Sequence, residues 1–408
     1  MASGYTLPLF VATIPIEKLT CAASLTKKTP MPIQNDETTP SSASAAHQEP
    51  SSATDLTRRG FLGIAGASLV TLTSPLAAHD FSSSNIGFLA GAITVLPDDG
   101  RSLFFNAIDA AQERIRIEIC VLEDPQILEH IRAALQRGVS VRAIVDYRKY
   151  TELASEREHL LEYLTSSGGE LHLSNWIFPR SFPKIILIDS DLVVYGSACL
   201  DQTTFLQYRD FATTSNDTQV LNDLQQLFEN DWQYSAPVGQ TSRPFNPTPP
   251  FSSESLMIGP VNASERLVRF YQGAVRTLDV YTEILGNRTL ESELFDAIRR
   301  NVRVRLIAPL HVNGGSRDIQ DRQMASLAAL SSIGVDVHVN DPGRTQLPYM
   351  HARAAVVDAQ LAYLGSISFS PDAATVNREV GLIFRDEAPV QQLQAQFESD
   401  YQFRTRKF

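Results

Sequence analysis

The chain has few cysteines, few basic residues and no long apolar run, and each shortage argues against a class of protein. Three cysteines in 408 residues cannot form a disulfide framework. The 35 basic side chains are outnumbered by 46 acidic ones, which gives a formal net charge of −11. Because proteins that grip nucleic acid depend on clustered Lys and Arg, this balance argues against nucleic acid as a partner. The 43% hydrophobic composition, however, is enough for two domain cores.

The segment that precedes residue 81 has the composition of a leader. Residues 1–55 are rich in Ser, Thr, Ala and Pro and predict a disordered segment. Within 56–80, Arg58-Arg59 precedes a short, weakly apolar stretch that is a poor membrane span and resembles a twin-arginine export signal. We therefore expect export to the periplasm or the cell exterior. The alternative is a chance arginine pair before a short helix, and the true start, Met1 or Met31, stays open.

The rest of the chain repeats one pattern of helices and strands. Helical and strand-like periodicity alternate over 86–235 and again over 256–408, and a Pro-rich linker, 236–255, separates the copies. One predicted helix runs from Pro125 to Arg137 and ends at Gly138, a residue suited to the left-handed conformation. This alternation predicts α/β domains, each a mostly parallel sheet with helices on both faces.

The second copy carries the most informative motif, in which His351 and Arg353 are followed by Asp358. The first copy holds the same frame with its internal spacing intact, except that Phe182 stands at the position of His351. The other matched pairs are Lys184 and Arg353, Asp189 and Asp358, Gly196-Ser197 and Gly365-Ser366, and Tyr208-Arg209-Asp210 and Asn377-Arg378-Glu379.

The two frames resemble the phospholipase D superfamily, whose mark is HxKxxxxD twice per chain, each followed by Gly-Ser and a short polar motif. The segments Pro97-Asp98-Asp99-Gly100 and Leu122-Glu123-Asp124-Pro125 are similar to those of bacterial phospholipase D and cardiolipin synthase relatives. The resemblance implies two pseudo-twofold-related sandwich domains whose motifs face one cleft. The first motif is degenerate because it lacks its histidine.

The resemblance also implies a two-step reaction that needs no metal or other cofactor. One histidine attacks phosphorus, and the other protonates the leaving alcohol and later activates the acceptor. The acid of each trailing motif orients the histidine of the opposite half, so Asp210 would favour charged His351 and Glu379 would face Phe182. The residues expected to be catalytic are His351, Arg353, Asp358, Lys184, Asp189 and Asp210. Those expected to bind substrate are Ser197, Ser366, Ser368, Asn377, Glu379 and Glu283.

Two cysteines and two histidines admit more than one interpretation. Cys199 stands where the family often has Asn, and Cys120 stands where the second copy has Glu283. The cysteines are buried apolar residues, a disulfide across the pocket, or a substitute nucleophile. His172 and His338 occupy matching strands of the two copies, which favours a structural role over that of a surrogate catalyst.

Three functions fit the frame. The first is an exported phosphodiesterase, hydrolase or phosphatidyl transferase, that acts on phospholipid and is impaired by Phe182. The second is a catalytically silent protein that holds a phosphate ester with Lys184, Arg353 and the Gly-Ser hydroxyls. The third, an endonuclease, is disfavoured by the acidic balance. We expect a phospholipid or other phosphodiester as partner, peripheral membrane contact, and a monomer with both half-sites in one chain.

Overall fold

The computed structural model describes residues 91–152, 163–245, 250–341 and 343–408. The predicted leader, 1–55, and the predicted export signal, 56–80, lie outside the described residues. Across the described ranges, no helix is long and apolar enough to cross a membrane.

The first half alternates short strands with helices. Its strands are β1 (Thr94–Leu96), β2 (Arg114–Ile119), β3 (Ser140–Val145), β4 (Glu170–Leu173), β5 (Ile185–Ile188), β6 (Leu192–Gly196), β7 (Tyr208–Ser215) and β8 (Ala236–Pro237). The helices that the structure describes in this half include α1 (Ser102–Ala110), α2 (Pro125–Gln136), α3 (Tyr147–Glu152), α4 (Gln202–Gln207) and α5 (Thr218–Tyr234). Helix α2 begins at Pro125 as predicted, because the Asp124 carboxylate accepts the N–H groups of its first turn.

The second half repeats this order and adds one short strand, β13 (Tyr349–Met350), ahead of its hairpin. Its strands are β9 (Leu256–Gly259), β10 (Thr277–Tyr281), β11 (Arg303–Pro309), β12 (Asp336–Asn340), β13 (Tyr349–Met350), β14 (Ala354–Val357), β15 (Leu361–Gly365), β16 (Glu379–Phe384) and β17 (Arg406–Lys407). Its helices are α6 (Ala263–Gln272), α7 (Arg288–Arg299), α8 (Arg317–Ser332) and α9 (Glu387–Ser399), followed by a π-helical turn, Asp400–Arg404.

Each half forms one sheet, so the predicted duplicated α/β fold is confirmed. The strand orders are β1-β7-β6-β5-β2-β3-β4-β8 and β17-β12-β11-β10-β14-β15-β16-β9. The sheets are mixed, however, and the expectation of mostly parallel sheets is wrong. Parallel neighbours along these orders are β2-β3-β4 and β10-β11-β12. Residues 189–191 and 358–360 are too short for a crossover, so they join β5 to β6 and β14 to β15 as antiparallel hairpins.

Helices cover both faces of each sheet, and one helical layer is shared. Helices α1 and α2 pack on the outer face of the first sheet, and α6, α7 and α8 pack on the outer face of the second. Helices α5 and α9 lie in a central cluster with strands of both sheets. Leu224 and Phe228 of α5 and Leu393 and Phe397 of α9 are at most 1% exposed there. The two halves therefore share a continuous apolar core.

Two buried ion pairs cross between the halves in a reciprocal manner. Arg209 Nε of the first half lies 3.0 Å from Asp400 Oδ2 of the second. Arg378 Nε of the second half lies 2.8 Å from Asp231 Oδ2 of the first. Both arginines are fully buried, and the two arginines, like the two aspartates, occupy equivalent positions in the two copies. This exchange relates the halves by a pseudo-twofold axis.

A third residue supports each pair at equivalent positions. The Tyr281 hydroxyl donates to Asp400 over 2.8 Å. Glu118 of β2 corresponds to Tyr281 of β10 and holds the matching place beside Asp231. Burial and the charge of Asp231 raise the pKa of Glu118 well above its usual range, which favours the protonated carboxyl beside Asp231. A carboxylic acid and a phenol thus perform the same task in the two halves.

Candidate active site

His351 belongs to the second half but lies against the first sheet. Strand β13 leaves its own sheet and pairs in parallel with β7, with Met350 opposite Arg209. The His351 N–H then donates to the Arg209 carbonyl over 3.1 Å. This backbone pairing brings the imidazole Nδ1 to 2.7 Å from Asp210 Oδ2. The structure therefore brings together the histidine of one half and the acid of the other.

Asp210 is held in place by its own half. The Ser197 hydroxyl donates to Asp210 Oδ1 over 2.6 Å and accepts the Phe211 N–H over 3.0 Å. Burial raises the pKa of Asp210 to about 6, against the opposing effect of Lys184 and Arg353, so the carboxylate is ionised at neutral pH. The Ser197 hydroxyl is engaged in this way, is fully buried and does not line the cleft, so the structure does not place it where the predicted contact with substrate would occur: it positions Asp210.

Arg353 joins the histidine to a second acid. Its Nη2 forms an ion pair with Glu283 Oε2, and the Tyr349 hydroxyl donates to Glu283 Oε1 over 2.9 Å. Its Nη1 donates to the His351 carbonyl over 2.7 Å and lies 3.1 Å from the imidazole Nε2. Glu283 therefore positions Arg353 beside the ring.

The protonation state of His351 follows from these neighbours. Burial, reinforced by the Arg353 charge, lowers the pKa of His351 well below its usual range. This direction favours the neutral imidazole, so burial outweighs the effect predicted for Asp210, which is to favour the charged form. Arg353 Nη1 lies at similar distances from both ring nitrogens, 3.2 Å from Nδ1 and 3.1 Å from Nε2. Because the short contact of 2.7 Å to a carboxylate is made by Nδ1, we assign the proton to Nδ1 and the lone pair to Nε2.

Lys184 is the cationic counterpart of Arg353 in a different setting. Its Nζ donates to the Ser197 carbonyl over 2.5 Å and to Cys199 Sγ over 3.2 Å. Burial and the nearby Arg353 charge lower the pKa of Lys184 to about 8. Among the described residues no carboxylate makes an ion pair with this amine, because the place equivalent to Glu283 is filled by Cys120. Its charge is consequently free for an anionic ligand.

Cys120 and Cys199 form a disulfide, which decides among the three interpretations of these residues. Cys120 follows β2 and Cys199 follows β6, and both line the cleft. A disulfide sulfur has no thiolate to offer as a nucleophile. The bridge therefore gives the first-half side of the cleft a fixed apolar surface.

Phe182 occupies the backbone position that His351 has in the other half. Its N–H donates to the Arg378 carbonyl over 2.7 Å, and its half-buried ring packs against the first-half core. Glu379 follows Arg378 and is 3% exposed. Its Oε1 accepts from Asn377 Nδ2 over 3.4 Å, and its Oε2 has no hydrogen-bond partner among the described residues.

Two expected catalytic residues lie outside the cleft. Asp189 accepts the N–H groups of Gln112, Glu113 and Arg114 at a turn. Asp358 accepts those of residues 275–277 in the same way. Both aspartates have positive φ, 49° and 54°, and close the turn after a strand. The structure therefore does not bring these two aspartates to the cleft, as their predicted catalytic role requires: they fix the hairpins that carry Lys184 and Arg353.

The serines of the second half differ from each other. Ser366 Oγ accepts the Val380 N–H over 3.0 Å and donates to the Val380 carbonyl over 3.2 Å, so its hydroxyl is directed to the strand rather than the cleft. The structure therefore does not bring Ser366 to the place where the predicted contact with substrate would occur. Ser368 lines the cleft, as do Asn377, Glu379 and Glu283, the other residues expected to bind substrate.

His172 and His338 are structural residues. The His172 ring stacks on Trp232 with centroids 3.7 Å apart, and the His338 ring stacks on Tyr401 at 3.8 Å. Neither lines the cleft that contains His351. The symmetry of their positions thus reflects equivalent packing in the two halves.

One cleft of about 770 Å³ lies between the halves, and its lining includes Phe182, Lys184, Glu283, His351 and Arg353. Sequence reasoning missed part of its lining: Arg148, Tyr208, Asn313 and Arg322. It also missed Tyr349, whose hydroxyl donates to Glu283 and which is not part of either motif. The available signal was its position two residues before His351, because such residues lie on the same face of a strand. Within the described ranges, no group of three or more His, Cys, Asp or Glu side chains is arranged to hold a metal.

The fold and the site define a two-repeat α/β protein whose motif residues meet in one cleft at the boundary of the repeats. The family model for the phospholipase D-like domain of cardiolipin synthase matches residues 104–232 and 267–401. The chain belongs to the phospholipase D superfamily, as its two motif frames predict.

The similar proteins are distant. The chain is 20% identical over 351 residues to the probable cardiolipin synthase YwiE of Bacillus subtilis (strain 168), covering 79% of this chain and 67% of that protein. It is 22% identical over 326 residues to cardiolipin synthase A of Pseudomonas aeruginosa (strain LESB58), covering 73% and 64%. The chain thus spans about two thirds of the length of these relatives.

A solved structure shares the fold over most of both chains. The phosphatidylserine synthase of Haemophilus influenzae Rd KW20 superimposes with a TM-score of 0.63 at 15% identity, over 79% of this chain and 90% of that one. At this identity the likeness concerns the fold.

Proposed function

We propose that this chain is a phospholipase D-type phosphodiesterase, a hydrolase or phosphatidyl transferase, that acts on a phospholipid through His351. The observation that carries the proposal is the contact of 2.7 Å between His351 Nδ1 and Asp210 across the two halves. Burying an ionised carboxylate beside a histidine costs free energy. A pocket that only binds phosphate does not require this arrangement, whereas a catalytic histidine does. The relatives named as cardiolipin synthases and the neighbour named as phosphatidylserine synthase support a phospholipid substrate.

In this proposal the neutral imidazole of His351 is the nucleophile. With its Nδ1–H donated to Asp210, its Nε2 lone pair attacks phosphorus, the P–N bond forms and the bond to the leaving alcohol breaks. Arg353 Nη1, 3.1 Å from Nε2 in this structure, moves from the ring to a phosphoryl oxygen as the substrate enters. Lys184 supplies the second cation. Water or an acceptor alcohol then attacks the phosphohistidine.

The test uses two substrates and two histidine variants. Wild-type protein is incubated with bis(p-nitrophenyl) phosphate and with short-chain phosphatidylcholine, beside His351→Ala. His130→Ala is the matched control, because His130 lies at the surface with Asp109 and outside the cleft. We expect release by the wild type and the control alone. Equal release by His351→Ala would overturn the proposal.

The second candidate function is a silent binder of phosphate esters. The observation in its favour is that Phe182 and the disulfide replace polar groups on the first-half side of the cleft. It predicts that phosphocholine raises the melting temperature of the wild type but not of Lys184→Ala, with no turnover of either diester. Turnover that depends on His351 would exclude it.

Export by a twin-arginine route remains part of the proposal. The disulfide supports it, because disulfides persist in oxidising compartments. Fractionation of cells that express the full chain tests it: the protein should leave the cytoplasm, whereas a variant with Arg58→Lys and Arg59→Lys should stay there. Equal distribution of the two would contradict the route.

A further inference from the structure

We infer that the carboxyl group of Glu379 takes the place of the missing first-half histidine as proton donor and acceptor, acting directly or through one water. The inference rests on the proposed function, in which His351 attacks phosphorus. It concerns the oxygen that leaves phosphorus and the oxygen that later attacks it.

The intact half shows how an acid and position 351 are related. The His351 N–H donates to the carbonyl of Arg209, and the residue after that arginine, Asp210, meets the imidazole at 2.7 Å. The acid therefore lies directly behind the catalytic ring, on the side away from the open cleft.

The other half repeats the backbone pairing without the ring nitrogen. Ser181 and Arg378 form a parallel bridge, and the Phe182 N–H donates to the Arg378 carbonyl over 2.7 Å. Glu379, the residue after that arginine, accordingly faces position 182. Phe182 can neither give nor take a proton, so Glu379 is the proton-bearing group that this pairing brings to the first-half side of the cleft.

The Glu379 carboxyl is buried and incompletely satisfied. The residue is 3% exposed and lines the cleft. Its Oε2 lacks a hydrogen-bond partner among the described residues, whereas its Oε1 accepts from Asn377 Nδ2 over 3.4 Å. A buried polar oxygen without a partner destabilises the folded protein. A ligand hydroxyl, or a water between ligand and carboxyl, would satisfy it.

The charges around Glu379 suit proton transfer. Burial raises the pKa of Glu379 to about 7, against the opposing effect of Arg353 and Lys184, the two cations that face it; Ser366 and Asn377 are neutral. Both protonation states are thus populated near neutral pH, which is the condition for a group that donates in one step and accepts in the next.

Glu379 gives a proton in the first step of the reaction and takes one in the second. His351 Nε2 bonds to phosphorus while the bond from phosphorus to the leaving oxygen breaks, and that oxygen takes the Glu379 proton. In the second step the carboxylate removes a proton from water or an acceptor alcohol. The oxygen of that molecule then bonds to phosphorus, and the bond to Nε2 breaks.

The test compares leaving groups. A nitrophenolate leaves without a proton, whereas the alcohol of short-chain phosphatidylcholine needs one. We expect Glu379→Gln to slow phosphatidylcholine turnover about 10²-fold or more. Initial nitrophenol release at the start of the reaction should remain near the wild-type rate, followed by accumulation of phosphohistidine. Glu387→Gln, which removes an exposed carboxylate on α9, is the control and should match the wild type on both substrates.

Two further arms separate the outcomes. In a Phe182→His background, Glu379→Gln should slow phosphatidylcholine turnover less, because an imidazole supplies the proton. The pH dependence of kcat near pH 7 should shift as well. Equal slowing of both substrates by Glu379→Gln, or no slowing of either, overturns the inference while His351-dependent turnover keeps the proposed function. Absence of turnover by the wild type overturns both.

Discussion

Phe182 and His351 occupy the same place in the two halves. Each donates its backbone N–H to a buried arginine carbonyl of the opposite half, over 2.7 Å and 3.1 Å. The backbone therefore still presents position 182 to the cleft in the manner of a catalytic residue. What differs is the side chain: one ring carries a lone pair and a proton, and the other carries neither.

The first prediction concerns this position. In a Glu379→Gln background, Phe182→His should raise diester turnover about 10²-fold, because it returns an acid–base group to a site whose backbone pairing is intact. The measurement is kcat on short-chain phosphatidylcholine. Phe182→Tyr, which keeps the volume but has a hydroxyl of high pKa, should show no such gain. If the histidine variant is no faster, the defect extends to the disulfide side of the cleft.

The second prediction compares two aspartates of the first half. Asp210→Asn should lower kcat about 10²-fold or more with little change in melting temperature, because the amide no longer holds the ring or stabilises the positive charge that the ring acquires when Nε2 bonds to phosphorus. Asp189→Asn should lower the melting temperature with little change in kcat, since Asp189 accepts three backbone N–H groups outside the cleft. Thermal melts and kcat on the same preparations check both. Loss of kcat in the folded Asp189 variant would contradict our assignment of Asp189 as structural.

The third prediction concerns pH and anion binding. Burial lowers the pKa of Lys184 to about 8, so its amine is charged below that pH and neutral above it. Sulfate, whose own charge is constant over this range, should raise the melting temperature at about pH 7, and this shift should fade as pH rises through about 8. Lys184→Arg should retain the shift at higher pH because the guanidinium stays charged. A wild-type shift that is independent of pH would exclude Lys184 as the anion contact.

The fourth prediction concerns the bridge between Cys120 and Cys199. It closes a loop with a sequence separation of 79 residues, so replacing both cysteines with serine should cost roughly 2–4 kcal/mol of unfolding free energy. Denaturant unfolding of the wild type with and without reductant checks this. Reductant should lower the unfolding free energy of the wild type close to that of the variant and leave the value of the variant unchanged. An unfolding free energy of the wild type that does not change with reductant would contradict the bridge.

The sequence predicted the parts of the site that depend on residue type and spacing. The frame around His351 indicated the family and the shared cleft, and the Pro125 to Gly138 pattern indicated a helix that the structure contains. Both patterns are local, so the types and spacing of neighbouring residues are enough to predict them.

The parts that depend on direction were not predictable. Asp189 and Asp358 have the right spacing, but a hairpin turns them away from the cleft, and no spacing rule states which way a turn points. The role of the Ser197 hydroxyl and the pairing of Cys120 depend on which residues lie next to them in space, and the sequence does not show these neighbours. Likewise, a short hairpin inside each copy made the sheets mixed, although alternation alone favours parallel strands.

The reciprocal pairs Arg209–Asp400 and Arg378–Asp231 are the contacts that two identical subunits would exchange across a dimer axis. In such a dimer any substitution appears in both subunits, so a lost histidine would be lost twice. Joining the copies in one chain removes that constraint. One copy is then free to retain the nucleophile while the other is specialised for a different task, without loosening the contacts that hold the copies together. The asymmetry of the cleft is thus a consequence of covalent linkage between copies that still associate symmetrically.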